Sequence, residues 1–241
     1  MSFKTDLKYN LKYFFPKLSY YMLGKQKPEY KHRIRLLNIH NINLVFDVGA
    51  NIGLYSHCLR NMGYDGRIVA FEPLSNEFKA LQKLAGKDSS WECLNMALGN
   101  ENQESEINIS QNSVSSSILE MLPSHYSVVP ESKYFRKEKI IIKTLDSIFK
   151  DYYTSSDKVF LKIDTQGYEK SVLEGAINSL PNISGLQLEM SIVPLYKDEL
   201  LFRGMLDYIY SLGFKLISLE HGWSDPVTGN LMQIDGIFFR D

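Results

Sequence analysis

The apolar positions of this chain alternate between short continuous runs and longer stretches in which they recur every three or four residues. The continuous runs, such as Leu44–Val48 and Val159–Ile163, predict strands that are buried on both faces of a sheet. The stretches with helical spacing, such as 52–62, predict amphipathic helices. Because strands and helices alternate from residue 44 onward, the pattern predicts an α/β domain with a mainly parallel sheet covered by helices.

The remaining elements lie between glycine, proline and asparagine residues that interrupt the pattern. Further strands are predicted at 67–72, 91–98, 105–110, 139–143, 185–188, 214–219 and 233–239, and further helices at 78–85, 144–149, 169–180 and 200–212. The last two strands are joined by the loop 220–232 without a helix, so they must run antiparallel to each other. Residues 118–137 show the least regular pattern, and we expect low order there.

The first 43 residues differ from the rest in charge and in aromatic content. They hold nine Lys and Arg residues against Asp6 and Glu29, and they are rich in Tyr and Phe. We predict an N-terminal helical extension at 1–43, followed by a single domain at 44–241. A helical lid over a cofactor pocket is the interpretation that we favour for the extension, and a peripheral membrane contact or an acceptor-docking element is the alternative.

Charge and cysteine content limit which binding partners and which cellular compartment we expect. The formal net charge of the 241 residues is −1, so no global field attracts nucleic acid and we expect no nucleic-acid partner. The two cysteines, Cys58 and Cys93, have no metal-binding spacing, and so few cysteines indicate a reducing compartment, for which we expect the cytoplasm. No apolar run reaches the ~18 residues of a membrane span, and no signal peptide is apparent.

A glycine-rich turn directly follows the first predicted strand. Gly49 and Gly53 are four residues apart, whereas a dinucleotide site has its second glycine two residues after the first. Asp47 stands just before the turn, where it would repel a pyrophosphate and attract a cation. This arrangement argues against a dehydrogenase and favours a nucleoside with a positively charged tail, such as S-adenosylmethionine.

Four acidic residues stand where predicted strands end: Asp47, Glu72, Asp164 and Glu189. Ligands of open parallel sheets bind beyond the carboxyl ends of the strands. Four buried carboxylates without a shared purpose would be costly, so we interpret them as lining one polar cleft. The alternative is that each carboxylate caps the loop or helix that follows it.

Several of these positions suit the parts of a nucleoside cofactor. Glu72 can accept both ribose hydroxyls, the glycines allow close approach of the backbone, and Asn51 offers an amide near the amino-acid tail. The end of the third strand is a place where adenine is commonly held. The predicted cofactor-binding residues are Asp47, Gly49, Asn51, Gly53, Glu72, Pro73, Asn95, Ala97 and Asp164.

Four segments together resemble the FkbM-type S-adenosylmethionine-dependent methyltransferases: 46–53, 70–73, 161–169 and 233–239. The third segment, with 172–176 after it, is the more family-specific one. The resemblance implies the class I methyltransferase (Rossmann-like) fold with a seven-stranded sheet in the order 3-2-1-4-5-7-6 and strand 7 antiparallel. It also implies methyl transfer to a hydroxyl, often on a sugar or a polyketide-like product.

Methyl transfer to a hydroxyl requires that the acceptor oxygen is positioned and loses its proton. Asp164 and Glu189 are the first candidates for the base, and His221 and then His125 follow. Alternatively, Asp164 and Glu189 could hold a Mg²⁺ that orients the hydroxyl, and the sequence leaves both mechanisms open. His221 can also be interpreted as a loop histidine beside Trp223 that makes ordinary hydrogen bonds.

Three further residues are candidates for binding the substrate: Gln166, Tyr168 and Asp235. Asp235 could instead bond a neighbouring turn. The sequence thus predicts an S-adenosylmethionine-dependent O-methyltransferase acting on a sugar in a surface glycan or on a secondary metabolite. The alternatives are a non-catalytic cofactor-binding module that docks a partner or a membrane, and an RNA methyltransferase. The motif Asp/Asn-Pro-Pro-aromatic of amino-directed enzymes is absent after the fourth strand, where 164–167 stand instead.

Overall fold

The computed structural model describes residues 28–240, so the predictions for 1–27 lie outside the described residues. Helix α1 (Pro28–Ile39) comes first and packs Leu36 and Leu37 inward. It is therefore the described part of the predicted helical extension. Among the described helices, none combines the length and the apolar character that crossing a bilayer requires.

Strands and helices alternate along the described chain, as the apolar pattern predicts. The strands are β1 (Leu44–Val48), β2 (Arg67–Phe71), β3 (Trp91–Leu94), β4 (Ala97–Leu98), β5 (Gln103–Ser110), β6 (Tyr134–Lys143), β7 (Val159–Ile163), β8 (Ile183–Ser191), β9 (Lys215–Ser224) and β10 (Leu231–Phe239). The α-helices after α1 are α2 (Leu54–Asn61), α3 (Ser75–Ala85), α4 (Pro123–Tyr126), α5 (Leu145–Tyr152), α6 (Glu169–Glu174) and α7 (Phe202–Ser211).

Seven strands form the large sheet in the order β3-β2-β1-β7-β8-β10-β9. In the numbering of all the described strands this order is 3-2-1-7-8-10-9 rather than the predicted 3-2-1-4-5-7-6, because β4, β5 and β6 intervene in the chain and form a separate sheet. Within the large sheet alone, β7 to β10 are its fourth to seventh strands. The last strand is antiparallel to both of its neighbours, as predicted.

The two faces of the large sheet carry separate apolar clusters. Alternate side chains of β1 point to opposite faces, so Phe46 packs with α5, α6 and α7, whereas Val45 packs with α1, α2 and α3. All five residues of β1 and of β7 are buried. Burial on both faces explains why these strands have continuous apolar runs instead of alternating patterns.

The second sheet has the order β4-β6-β5. Its core includes Ile107, Ile109, Ile140 and Ile142, which pack against Leu74 from the loop after β2. This contact holds the small sheet beside the carboxyl ends of the first strands of the large sheet. The predicted third strand at 91–98 is therefore wrong as one element, because it divides at Asn95 into β3 and β4, which belong to different sheets.

Most other predicted elements differ from the observed ones by a few residues at one or both ends, and three larger differences concern 169–180, 220–232 and 118–137. The helix predicted at 169–180 ends at Glu174 with Gly175 as its C-cap. Gly175 lies so close to the backbone of Gly99 that a Cβ would overlap its carbonyl oxygen, so this position requires glycine. The loop predicted at 220–232 is shorter, since β9 continues to Ser224 and β10 begins at Leu231. The expectation of low order at 118–137 was also wrong, since α4, a 3₁₀ turn and the start of β6 lie there.

Candidate functional site

A cavity of about 310 Å³ lies beyond the carboxyl ends of β1, β2 and β7. Its floor is formed by the turn after β1 and the residues after β2, and the loop between β5 and α4 covers it. The predicted site residues that line it are Gly49, Asn51, Glu72, Pro73, Ala97, Asp164, Gln166, Tyr168 and Glu189, together with His125. The structure thus brings most of the predicted positions to one cavity.

The glycine turn passes directly over the end of β7. Gly49 has a φ of 73°, and a Cβ at this position would overlap the carbonyl oxygen of Asp164. Glycine is therefore required for both conformation and space. Gly53, with a φ of 86°, caps the start of α2 and does not line the cavity. Asn51 has a φ of 49° and its side-chain oxygen accepts from the amide of Ile52.

Glu72 is positioned by two backbone amides. Its Oε2 accepts from Asn51 N at 2.7 Å, and its Oε1 accepts from Leu74 N at 2.8 Å. Burial raises the pKa of Glu72 to about 7, although both hydrogen bonds oppose this shift. Asn95 does not line the cavity, and its side-chain amide donates to the carbonyls of Glu72 and Pro73. The structure therefore gives Asn95 a role in holding the loop after β2.

Asp47 lies beneath the cavity and does not line it. Its side chain has no exposed surface; Oδ2 accepts from Ser56 at 2.6 Å, and Oδ1 lies 3.2 Å from Lys162 Nζ. Lys162 also approaches Asp164 Oδ2 at 3.5 Å. The negative charge of Asp47 is thus compensated inside the protein, and the attraction of a cofactor cation predicted for Asp47 has no direct path in this arrangement.

Gln166 joins the two carboxylates that were predicted to be catalytic. Its Nε2 donates to Asp164 Oδ1 at 3.0 Å and to Glu189 Oε2 at 2.6 Å. Its Oε1 accepts from the Tyr196 hydroxyl at 2.8 Å, which fixes the orientation of the amide. Gln166 has a φ of 55°, a strained conformation for this residue that tends to persist where neighbours determine it.

The loop that carries Gln166 is held by hydrogen bonds to the first residue of the helix that follows it. Glu169 begins α6, and its Oε1 accepts from Thr165 N at 2.8 Å and from Gly167 N at 3.2 Å. The Ser117 hydroxyl donates to the Gln166 carbonyl at 2.7 Å. These bonds hold Gln166 against both carboxylates.

The two carboxylates have different environments. Burial, followed by repulsion from Asp164 and Asp235, raises the pKa of Glu189 well above its usual value. Glu189 also accepts from Gln233 Nε2 at 2.9 Å. The side chain of Asp164 is 38% exposed and faces the cavity. The pair therefore combines a buried carboxyl whose pKa is raised, Glu189, with an accessible one, Asp164.

A metal ion does not fit between Asp164 and Glu189 in this arrangement. The amide N–H groups of Gln166 point at both carboxylates, and a cation would have to displace this donor. Among residues 28–240, no group of three or more His, Cys, Asp or Glu side chains has a geometry that could hold a metal. We therefore derive no step that involves Mg²⁺.

A second cavity of about 370 Å³ adjoins the first. The two share lining residues Gly49, Asn51, Val114, Asp164, Glu189 and Trp223. The second cavity also contacts α1, β9 and β10. His221 and Asp235 line this second cavity and not the first.

His221 and Asp235 both lie on strands. His221 belongs to β9, so its interpretation as a loop residue was wrong, and its Nε2 lies 3.0 Å from the Ser224 hydroxyl. Asp235 belongs to β10, and its Oδ1 accepts from Gln187 Nε2 at 3.3 Å. Burial raises the pKa of Asp235 to about 6.

His125 lies in the wall of the first cavity. It is 3% exposed, and its ring stacks on Trp223 with the centroids 5.6 Å apart. Burial lowers the pKa of His125 to about 4, so the ring is neutral near pH 7. Its Nδ1 has no hydrogen-bond partner within residues 28–240.

Several residues of the site were not found from the sequence. They are Lys162, Gln187, Tyr196, Gln233, Arg33 and Glu220. For Lys162 a signal existed, because a lysine within the apolar run of β7 requires a buried partner. The others belong to strands, loops or helices whose local pattern carries no sign of a cavity.

The sequence model of the methyltransferase FkbM domain matches residues 47–216. The chain belongs to this family. An FkbM-domain protein is an S-adenosylmethionine-dependent methyltransferase, and the residues of this cavity suit such a cofactor, because Gly49 allows close approach at the turn and the buried Glu72 carboxyl can accept hydrogen bonds. A comparison with curated protein sequences found no match.

Two solved methyltransferase structures are among those found to be similar to this FkbM-domain protein. Magnesium protoporphyrin IX methyltransferase from Synechocystis, with bound S-adenosylmethionine, is 11% identical with a TM-score of 0.48, and the alignment covers 91% of this chain and 81% of that chain. An rRNA methylase from Streptococcus thermophilus is 10% identical with a TM-score of 0.44, covering 83% of this chain and 87% of that chain.

Proposed function

We propose that this FkbM-domain methyltransferase transfers a methyl group to a hydroxyl oxygen, with a sugar of a surface glycan or a secondary metabolite as the acceptor. The observation that carries the proposal is the position of Asp164. Its carboxylate lies where the two cavities meet, so it can face a cofactor in one cavity and an acceptor in the other. When bound, the cofactor supplies a methyl group attached to a sulfonium sulfur, and this sulfur is the leaving group.

In this proposal the first cavity holds the cofactor. Glu72 accepts the ribose hydroxyls, Gly49 and Asn51 contact the ligand through the turn after β1, and Pro73 and Ala97 border the adenine. The support for this placement is that all five residues line one cavity. Gly53 acts indirectly by starting α2, and Asp47 acts indirectly by holding Lys162.

Asp164 is the proposed base. As the acceptor oxygen forms its bond to the methyl carbon, the hydroxyl proton passes to the Asp164 carboxylate. Glu189 does not compete for this proton if it already holds one, which is the direction in which its surroundings shift it. Gln166 keeps the two carboxyl groups together through one amide, and His221 and Tyr168 stay candidates for substrate contact.

The test is methyl transfer by the purified full-length protein. Tritium-labelled S-adenosylmethionine is incubated with neutral glycans, with secondary-metabolite extracts and with total RNA from matched cells. Base-stable label in the glycan or metabolite fraction supports O-methylation. In Asp164→Asn, which lacks the general base, the rate of labelling should fall by about 10²-fold or more. Label confined to RNA would refute the proposal, and so would cofactor binding without transfer to any fraction.

Compartment and membrane contact remain proposals. We propose the cytoplasm, because Cys58 and Cys93 are the only cysteines of the sequence, and so few cysteines indicate a reducing compartment. A peripheral membrane contact through 1–43 stays a prediction, since most of that segment lies outside the described residues.

A further inference from the structure

The second cavity is built partly by residues outside the segment that the family model matches. Tyr30 and Arg33 come from α1, before residue 47, and Glu220, Trp223 and Asp235 come after residue 216. Its selectivity is therefore a property of this chain and not of the matched domain alone. It is also the cavity that α1 covers, since Glu29, Tyr30 and Arg33 line it and do not line the first one.

We propose that this second cavity is the acceptor site and that it selects an uncharged polyhydroxylated compound over an otherwise identical acid. The inference rests on the proposed function, because it takes the first cavity as the cofactor site. It adds where the acceptor binds, which part of the chain recognises it, and that the acceptor carries no negative charge.

Proximity supports the assignment of the acceptor. The second cavity shares Gly49, Asn51, Asp164 and Glu189 with the first. A molecule that fills it therefore contacts the same carboxylate that faces the cofactor. A volume of about 370 Å³ lies at the small end of the range for ligand sites.

The charges around the second cavity disfavour an anion. Five acidic residues line it: Glu29, Asp164, Glu189, Glu220 and Asp235. The two cationic residues of the lining are both occupied by carboxylates, because Arg33 bonds to Glu220 and Lys162 lies 3.2 Å from Asp47 and 3.5 Å from Asp164. An acidic acceptor would meet several carboxylates and would have to compete with them for Arg33 and Lys162, and close like charges oppose binding.

The same lining suits hydroxyl groups on a ring. Carboxylates and the Gln187 amide accept hydrogen bonds from hydroxyls, and Tyr30, Tyr55 and Trp223 offer aromatic surfaces for the apolar faces of a ring. A hydroxyl both donates and accepts, so it can pair with an amide, an arginine or a carboxylate without introducing charge.

The Arg33–Glu220 pair has unused hydrogen-bonding capacity. Arg33 Nε and Glu220 Oε1 are buried and have no partner among the described residues. Buried polar atoms without partners are unfavourable. A rotation of this pair towards the cavity would allow a hydroxyl to meet both atoms, whereas a carboxylate could meet only the arginine.

The test uses two probes that differ in one group, methyl β-D-glucopyranoside and methyl β-D-glucopyranosiduronic acid. Their affinities for the full-length protein saturated with S-adenosylhomocysteine are measured by titration and ligand-observed NMR. We expect the neutral glycoside to bind at least about tenfold more tightly, which corresponds to ~1.4 kcal/mol. Equal binding of the two, tighter binding of the acid or binding of neither overturns the proposal.

Glu220→Gln is the matched variant. It removes one acidic charge from the wall and leaves Arg33 without its partner, so the preference for the neutral glycoside should shrink severalfold while the affinity for S-adenosylhomocysteine stays within twofold. Glu106→Gln, on the exposed β5 surface beside Lys137, is the control and should change neither quantity. An unchanged preference in a folded Glu220→Gln protein contradicts the proposal.

The two proposals fail in different ways. Failure of the wild-type protein to bind S-adenosylhomocysteine at all contradicts the proposed function. Normal S-adenosylhomocysteine binding with the wrong glycoside preference contradicts only the assignment of the second cavity. If Glu220→Gln does not fold, the comparison of the two probes on the wild-type protein decides the question.

Discussion

The pH dependence of cofactor binding tests the role of Glu72. This carboxyl is 4% exposed and accepts two backbone amides, and burial raises its pKa from 4.5 to about 7. Ribose hydroxyls that donate to Glu72 would favour its ionised form. Cofactor affinity should therefore increase as the pH rises through this pKa.

The expected magnitude follows from the ionised fraction of Glu72. With a pKa of about 7, this fraction rises from about a tenth at pH 6 to about nine tenths at pH 8. The affinity for S-adenosylhomocysteine should then rise about tenfold over this range, which is ~1.4 kcal/mol. Isothermal titration calorimetry at pH 6, 7 and 8 and constant ionic strength measures it.

Glu72→Gln removes the charge and keeps the shape of the side chain. Its affinity at pH 8 should fall by about 10- to 100-fold, because hydrogen bonds to a charged group contribute ~1.5–3 kcal/mol. Its affinity should also vary little between pH 6 and 8. The control is Glu104→Gln, on the exposed surface of β5, which should keep both the affinity and the slope of the wild type.

Two results would refute the reasoning about Glu72. One is a wild-type affinity that does not change between pH 6 and 8. The other is the same slope in Glu72→Gln as in the wild type, which would assign the titration to another group. Stability offers an independent check, because a folded pKa above the unfolded one makes the free energy of unfolding fall as the pH rises from 4.5 to about 7, and Glu72→Gln should remove this contribution.

Three further predictions concern the groups around the site. Gly49→Ala should lower the free energy of unfolding by ~3 kcal/mol or more. Its control, Gly229→Ala, has a similar φ of 75° but nothing within 4 Å of the new Cβ, and should lower the free energy of unfolding by only ~1–2 kcal/mol. Equal losses of stability in urea denaturation would contradict the steric overlap at Gly49. Lys162→Met should lower the free energy of unfolding by ~3–5 kcal/mol, because it leaves the buried Asp47 without its cationic partner. Adding Asp47→Asn should recover part of this loss. No recovery in the double variant would show that the two residues are not coupled. Tyr196→Phe should lower stability by ~1 kcal/mol and leave S-adenosylhomocysteine affinity within twofold in calorimetry; a large loss of affinity would place this hydroxyl in cofactor binding.

Local patterns predicted the strands that are buried on both faces. The predicted Leu44–Val48 and Val159–Ile163 match β1 and β7 in their bounds, because a fully buried strand needs a continuous apolar run and ends where polar loop residues begin. Local patterns gave no sign of contacts between distant segments. α6 ends at Glu174, and Gly175 directly after it packs against the backbone of Gly99, a contact that nothing near Gly175 in the sequence shows.

The candidate site divides in the same way. The glycine turn and Glu72 were identified from the sequence, since the spacing of glycines and the position of an acid after a strand are local features. The sequence also predicted that Asp47 attracts a cofactor cation directly, and the buried position of Asp47 does not support this role. That position depends on Lys162, which strand pairing places beside Asp47.

The alternation of strands and helices, the turn after β1 and the acids at the strand ends were predictable from the chain, because each depends on residues within a few positions of one another. The packed fold was needed to show that Arg33 meets Glu220, 187 residues later, that Gln166 joins two carboxylates, and that residues of α1 line a second cavity. Such contacts follow from strand register and helix packing, which bring together groups whose own neighbours in the chain give no sign of the encounter.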